Sequence, residues 1–179
     1  MKRIKLYIAT TIDGYIATSD GDVDWLREYP NLEHLDYNFR KFLSETDTIL
    51  MGGQTYRNLL CMDVTWPYKD KTTHIISRSP ITSKLDSNIH IVTENAIEEI
   101  AKLKEKEGND IGLVGGGELT KMLLQHNLID EMTITTIPML LGGGVPLFPQ
   151  FFPISDWQID KTELLENGMT QTVYHKKTL

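Results

Sequence analysis

The amino-acid sequence predicts an α/β domain with one mostly parallel sheet, finished by an antiparallel hairpin. Three observations carry this. Short β-branched runs alternate with stretches of helical periodicity, glycines punctuate several strand ends, and the last two strand-like runs flank Asn167-Gly168, a pair suited to tight hairpins. Strands separated by helices pair in parallel, because the crossover brings the chain back in the same direction.

Ile4, Leu6 and Ile8 alternate with Lys5, Tyr7 and Ala9, a period of two that marks the first strand, and Asp13-Gly14 turns the chain into a polar loop. After Pro30, the apolar positions Leu32, Leu35, Phe39, Phe42 and Leu43 recur at helical spacing and give a helix one buried face as far as Ser44. "TDTILMGG" is the second strand and enters a short helix over 55–60. "THIIS" and "IHIV" are too brief for helices and read as strands on either side of a turn containing Pro80. Asn95 with Glu98 has the form of a capping box, and Ile97, Ile100, Ala101 and Leu103 carry a helix to Gly108, a candidate left-handed cap. "IGLV" is the next strand, and after three glycines Leu119, Met122 and Leu123 line a helix ending near Asn127. "IDEMTITTIPML" is a longer strand, "LLGGGVPLFP" a loop, and "WQIDKTELL" and "MTQTVYHKK" form the hairpin. With no internal repeat or linker, residues 1–179 are expected to form a single domain.

At 179 residues and 40% hydrophobic, the chain can bury a core without metals or disulfides. A formal net charge of −7 leaves no basic field for a nucleic acid partner. The sequence pI of about 5.2 agrees. Cys61 is the single cysteine, which excludes an intrachain disulfide or a CxxC pair; it reads as a small buried hydrophobe in a reducing cytoplasm. The apolar run of "MKRIKLYIATT" is too short and threonine-broken for a signal peptide, and no stretch approaches the roughly 18 apolar residues of a membrane span. Histidines 34, 74, 90, 126 and 175 have no metal-ligand spacing, so no metal is expected.

"LVGGGELTKMLL" sets three glycines between a strand and a helix. Glycine inside an element costs about 0.5–1 kcal/mol relative to alanine, so the run argues for close approach to the backbone. A phosphate suits the free N–H groups and positive dipole end of the helix that follows; a tight turn is the other reading. Glu118 in the first turn favours the dipole but repels a phosphate unless it points away. Gly52-Gly53 followed by Thr55 repeats the device. In "ISRSP", Ser77 and Ser79 flank Arg78, whose guanidinium can bond a phosphate monoester bidentately; a solvated loop cation is the alternative. Three such sites at strand ends suggest one long, multiply phosphorylated ligand. There is no GxxxxGK[ST] for a phosphotransferase and no G-x-S-x-G nucleophile elbow.

Together with "TIDGYIA", "ILMGGQTY", "HIISRSP" and the run from Leu113 to Phe148, these residues resemble the dihydrofolate reductase-like family, most closely the RibD C-terminal type from riboflavin biosynthesis. The resemblance covers nearly the whole chain. It implies a three-layer fold, a central mostly parallel eight-stranded sheet with helices on both faces, and NADPH bound across it. Ala9 and Ile16 would border the nicotinamide. Thr55 and the glycines at 115–117 would meet the pyrophosphate, with Gly52, Gly53, Val114, Glu118 and Leu119 in the same contact region. Ser77, Arg78 and Ser79 would hold the adenosine ribose and its 2′-phosphate, which selects NADPH over NADH. Gly115-Gly116 would be joined by a cis peptide.

Two departures stand out. Gly52-Gly53 replaces the common "GR", so one phosphate-binding arginine is missing and Arg57 or Arg78 has to compensate. The folate enzymes also carry a carboxylate soon after a tryptophan, whereas Trp25 is followed at that spacing by Pro30. Asp36 and Asp13 are the remaining catalytic candidates; a surface-facing aspartate and a turn-shaping one are their respective alternatives. The reaction implied is hydride transfer to a small pterin-, pyrimidine- or aminouracil-like heterocycle, of dihydrofolate reductase or 5-amino-6-(5-phosphoribosylamino)uracil reductase type. The alternative is a regulator that binds NADPH without turnover. The resemblance also implies a homodimer, with the apolar "TIPMLLGGGVPLFPQFF" partly covered by a second copy or by substrate; a loop packed on its own core is the other reading.

Overall fold

The computed structural model describes residues 1–27, 33–61, 65–82, 86–150, 152–165 and 168–177; the side chains of residues 27 and 33–37 lie outside that set. The strands are β1 (Ile4–Thr11), β2 (Tyr15–Ala17), β3 (Thr46–Gly52), β4 (Thr72–Ile76), β5 (Ile89–Val92), β6 (Asp110–Leu113), β7 (Glu131–Ile137), β8 (Val145–Pro146), β9 (Trp157–Leu164) and β10 (Thr170–Lys176). The helices are α1 (Asp24–Arg27), α2 (Glu33–Ser44), α3 (Gly53–Cys61), α4 (Ala96–Glu105) and α5 (Gly117–Gln125). Eight strands form one sheet in the order β5-β4-β3-β6-β1-β7-β10-β9. Every pairing from β5 to β7 is parallel, and β10 runs against both β7 and β9.

Alternation along the strands divides the core in two. Ile4, Leu6, Leu50, Ile111 and Leu113 face Ile100 and Leu103 of α4 and Leu119 and Leu123 of α5. Ile49, Met51 and Ile75 point the other way, toward Tyr56 of α3 and Phe39 and Leu43 of α2. The period of two in the strands and the 3.6-residue period of the helices thus interlock as three layers. Gly112 lets α2 come down on β6, since a Cβ there would lie 2.7 Å from Phe42 Cζ.

Several local expectations are corrected. Asn95 does precede α4, but in a left-handed conformation (φ 51°) and with no side-chain bond into the helix, so no capping box forms. Lys106 takes the C-cap position, and Gly108 makes the turn beyond it at φ 127°. α3 starts at Gly53 rather than Thr55, because the second glycine is already helical. Within the polar loop lie β2 and the one-turn α1, and β2 pairs with β8 inside the Gly/Pro-rich loop, Tyr15 opposite Pro146 and Ala17 opposite Val145. Cys61 is exposed, since it ends α3 on the solvent side. Pro30, Leu32 and Asn167 lie outside the described residues.

The N-terminal edge of the sheet is held by charge. Lys5 Nζ, its side chain only 6% exposed, lies 2.7 Å from Glu45, 3.4 Å from Glu131 and 3.7 Å from Asp110. The Arg3 guanidinium donates to Asp110 from Nε at 3.1 Å and Nη2 at 2.8 Å, and its backbone N–H donates at 3.0 Å. Burial alone would raise the Asp110 pKa, but these bonds and the nearby Lys5 hold it below the usual value. A depressed carboxylate contributes stability that is present above its unfolded pKa of about 3.9 and is lost as pH falls through the still lower folded value. Urea midpoints measured from pH 7 to pH 3 are therefore expected to drop most below about pH 4. Asp110→Asn should lower the neutral-pH midpoint and flatten that acid limb; an unchanged limb would remove Asp110 from the account.

Candidate functional site

A cavity of about 1190 Å³ runs along the carboxyl ends of β1, β3, β4 and β6. This is the edge where open α/β sheets bind ligands, and the volume exceeds the roughly 300–1,000 Å³ of ordinary small-molecule pockets. Ala9, Ile16, Gly52, Gly53, Thr55, Ser77, Arg78, Ser79 and residues 114–119 all line it. These positions, spread over more than half the chain, are brought together because each parallel strand ends at the same edge.

The glycines allow the protein to fit against itself. A Cβ on Gly53 would lie 2.5 Å from Ser77 Oγ, and one on Gly117 would lie 2.3 Å from the Pro146 carbonyl oxygen. A Cβ on Gly52 would sit 3.3 Å from the Gly116 nitrogen, and the Gly52 N–H donates to Gly115 O at 2.9 Å. The space attributed above to a ligand is therefore taken, at 53 and 117, by neighbouring chain. Such close packing brings the starts of α3 and α5 to one cavity wall, where the first N–H groups of each helix have no intrahelical acceptor. Gly115-Gly116 is a cis peptide and Gly115 has φ 109°, outside the range other residues adopt readily. Glu118 is exposed in the first turn of α5.

At the end of β4 the two serines differ. Ser77 Oγ donates to Ser79 O at 2.7 Å and accepts from Arg57 Nη2 at 3.1 Å and from the Ser79 N–H at 3.3 Å, so its hydroxyl is committed within the protein. It holds the turn and the Arg57 guanidinium. Arg57 reaches the cavity from the second turn of α3, beside the position where Gly53 replaces arginine, and Arg78 lies exposed at the same end.

The other half of the cavity is apolar, with Ile16, Trp25, Leu26, Phe39, Leu59 and Tyr68 in its wall. Polar side chains in this half include Tyr7 and Thr135, which sequence reasoning missed. Gln171 Nε2 donates to Tyr7 Oη at 3.1 Å and to Thr135 Oγ1 at 2.8 Å, while Gln171 Oε1 accepts from Asn38 Nδ2 at 2.8 Å. Burial pushes the Tyr7 hydroxyl pKa up to about 12, although the bond from Gln171 acts in the opposite sense. Tyr68, more deeply buried, is also raised by desolvation. Period-two reading could have placed Tyr7 beside Ala9, but only the register puts Thr135 next to Ala9.

Asp13 does not line the cavity. Its carboxylate accepts from Thr11 Oγ1 at 2.5 Å and from the N–H groups of Leu141 at 3.2 Å and Gly142 at 2.7 Å, bonds that hold its pKa below the ordinary value. It ties the β1–β2 turn to the loop before β8, which corrects its reading as a pocket acid. Asp36 is on α2 and its side chain lies outside the described residues. Among the described residues no cluster of metal ligands occurs and no helix is long and apolar enough to cross a membrane.

Comparison with known proteins gives this arrangement a family. The model of the RibD C-terminal domain matches residues 2–171. The YwjB protein of Bacillus subtilis (strain 168) is 37% identical over 147 residues, covering 82% of this chain and 83% of its own. The crystal structure of a putative riboflavin biosynthesis protein from Shewanella sp. PV-4 superposes with a TM-score of 0.87 at 34% identity, over 98% of this chain and 99% of that one. Dihydrofolate reductase from Enterococcus faecalis, complexed with NADP(H) and RAB-propyl, has the same fold at 21% identity, with a TM-score of 0.71 over 98% and 97% of the two chains. The chain therefore belongs to the RibD C-terminal domain family and has the dihydrofolate reductase-like fold.

Proposed function

We propose that this protein is an NADPH-dependent reductase of a small pterin-, pyrimidine- or aminouracil-like heterocycle. One observation carries the reading: the starts of α3 and α5, Arg57 and Arg78 lie along a single cavity whose other half is apolar. An extended dinucleotide fits that division, with phosphates at helix N-termini and guanidinium groups, and a flat ring against aliphatic and aromatic walls. The solved dihydrofolate reductase of this fold was complexed with NADP(H), which supports the choice of cofactor.

NADPH, when bound, supplies a hydride for an electrophilic carbon. The residues proposed to hold it are Thr55 with Gly52, Gly53 and residues 114–119 at the pyrophosphate, Arg57, Arg78 and Ser79 at the 2′-phosphate end, and Ala9 and Ile16 at the nicotinamide. Ser77 acts there through Arg57 and the turn. The protein positions the two reactants and keeps water from the apolar half. The proton comes from water or from Asp36 on α2. The same reading extends to a cytoplasmic homodimer, for which Leu140, Phe148 and Phe152 provide exposed apolar surface. The rival, a regulator that binds NADPH without turnover, has one observation in its favour: Glu118, in the phosphate half, is the only carboxylate among the described lining residues.

The test is differential. NADPH is expected to raise the melting temperature more than NADH does. Arg78→Ala, which removes a charge-assisted bond of about 1.5 kcal/mol at an exposed site, should weaken NADPH binding roughly tenfold and leave NADH unaffected. Equal shifts by both coenzymes in the unmutated protein would defeat the 2′-phosphate assignment. Binding with no oxidation of NADPH in the presence of dihydrofolate or aminouracil substrates would favour the regulator.

A further inference from the structure

Aromatic rings stand in a row along the apolar half of the cavity. The ring centroids of Tyr7 and Phe39 are 5.4 Å apart, and those of Phe39 and Tyr68 are 6.4 Å apart in an edge-on contact. All three residues line the cavity. Tyr7 lies two residues before Ala9 on β1 and so on the same face, which sets one end of the row beside the proposed nicotinamide contact. Tyr68, in the chain leading into β4, sets the other end.

The Tyr68 ring is fixed by its neighbours. Trp66 packs against it nearly at right angles with centroids 4.9 Å apart, and Tyr56 meets Trp66 in the same way at 5.9 Å. The Tyr68 hydroxyl, by contrast, makes no hydrogen bond with any described residue. Nor is its oxygen sealed off: the enclosed polar side-chain atoms without a partner are the indole nitrogens of Trp25 and Trp66 and the Thr73 hydroxyl. Tyr68 as a whole is only 6% exposed and lines the cavity, so the cavity is where its open hydroxyl leads. Burial pushes the phenol pKa up, which keeps it a protonated donor, and the same desolvation disfavours an anion beside it.

We propose that Tyr68 is a specificity-determining residue whose hydroxyl donates to a neutral oxygen substituent, a hydroxyl or a carbonyl, on the side of the substrate ring away from the nicotinamide. The proposal rests on the reductase reading in placing a planar ring over Phe39 with its reacting edge toward Ala9. A site built to bond a substrate oxygen rejects the analogue that lacks it, because the phenol is then left unpaired in an apolar wall.

The test uses pterins that differ in one substituent, 6-hydroxymethylpterin, 6-methylpterin and 6-carboxypterin, titrated at pH 7 by their own fluorescence with and without saturating NADPH. The hydroxymethyl ring is expected to bind about tenfold more tightly than the methyl ring, and more tightly than the carboxylate. Tyr68→Phe keeps the ring packing and removes the hydroxyl alone. It should abolish the preference for hydroxymethyl over methyl, hold 6-methylpterin affinity within about twofold, and leave the urea midpoint unchanged. A merely structural Tyr68 would instead shift all three affinities together and lower the midpoint. In the unmutated protein, equal or weaker binding of the hydroxymethyl ring, carboxylate binding as tight or tighter, or no binding of any pterin would overturn the proposal. A preference that survives Tyr68→Phe, or a lowered midpoint in that variant, would do the same. Failure of NADPH to bind would instead defeat the cofactor assignment, and the titrations without NADPH still decide this one.

Discussion

Gly117→Ala is expected to destabilise the protein by about 2 kcal/mol and to abolish the NADPH-dependent rise in melting temperature. Two effects compete at this position. Alanine is the better helix former by up to about 1 kcal/mol, and Gly117 opens α5. Against that, the new Cβ would lie 2.3 Å from Pro146 O, 3.3 Å from Pro149 Cγ and 3.5 Å from Leu147 O. Two of those atoms are main-chain carbonyls that cannot rotate aside, and overpacking of this kind costs about 1–3 kcal/mol or more. Relief requires β8 to move. That strand is paired to β2, and Gly144 allows its close approach, since a Cβ there would lie 2.2 Å from Ala17 O. The displacement thus passes to Ile16 and Ala17, which line the cavity. Gly143→Ala serves as the control, because nothing lies within 4 Å of its added Cβ. Urea unfolding and thermal shift on the two variants decide the matter: equal behaviour would mean that the Gly117 contact is not rigid.

Local patterns made the scaffold legible. The alternation at Ile4, Leu6 and Ile8 and the stripe at Ile97, Ile100 and Leu103 report which face of an element is buried, and they located β1 and α4. β2 and β8 are three and two residues long and α1 is a single turn in a polar stretch, too little for a pattern to show, so these three were hidden in loops. The candidate site was half legible for the same reason. Glycines and "ISRSP" announce a strand end wherever they occur, whereas Thr135 and Gln171 become neighbours of Tyr7 only through the register of β1, β7 and β10. Glycine identity was informative but its cause was not: for Gly53 and Gly117 the close approach comes from Ser77 and Pro146, which are distant in sequence. Asp13 illustrates a further limit, since a carboxylate after a strand can serve chemistry or bind loop N–H groups, and only the position of Leu141 and Gly142 distinguishes them.

Lys5→Met is expected to cost about 2–3 kcal/mol of stability at pH 7 while leaving NADPH affinity unchanged. Removing one partner of a fully buried ion pair typically costs about 3–5 kcal/mol, because the other charge remains without compensation. Lys5 is that buried partner, with Glu45, Glu131 and Asp110 all within 4 Å. Two features place the expected loss below the full range. Glu45 keeps 42% of its side chain in solvent, and Arg3 still reaches Asp110 at 2.8 Å and Glu131 at 3.5 Å. Methionine fills most of the volume of the lysine stem, so the loss reports charge rather than a cavity. A cycle with Glu131→Gln isolates the pair: the double variant should be less destabilised than the sum of the singles by about 1–2 kcal/mol, since neutralising Glu131 removes part of what Lys5 compensates. Because the cluster lies at the N-terminal edge of the sheet and the cavity at the carboxyl ends, a change in coenzyme affinity in this series would mean that the two edges are energetically linked. A loss under about 0.5 kcal/mol would place Lys5 with ordinary surface ion pairs, and the burial of its ammonium group makes that the less favoured outcome.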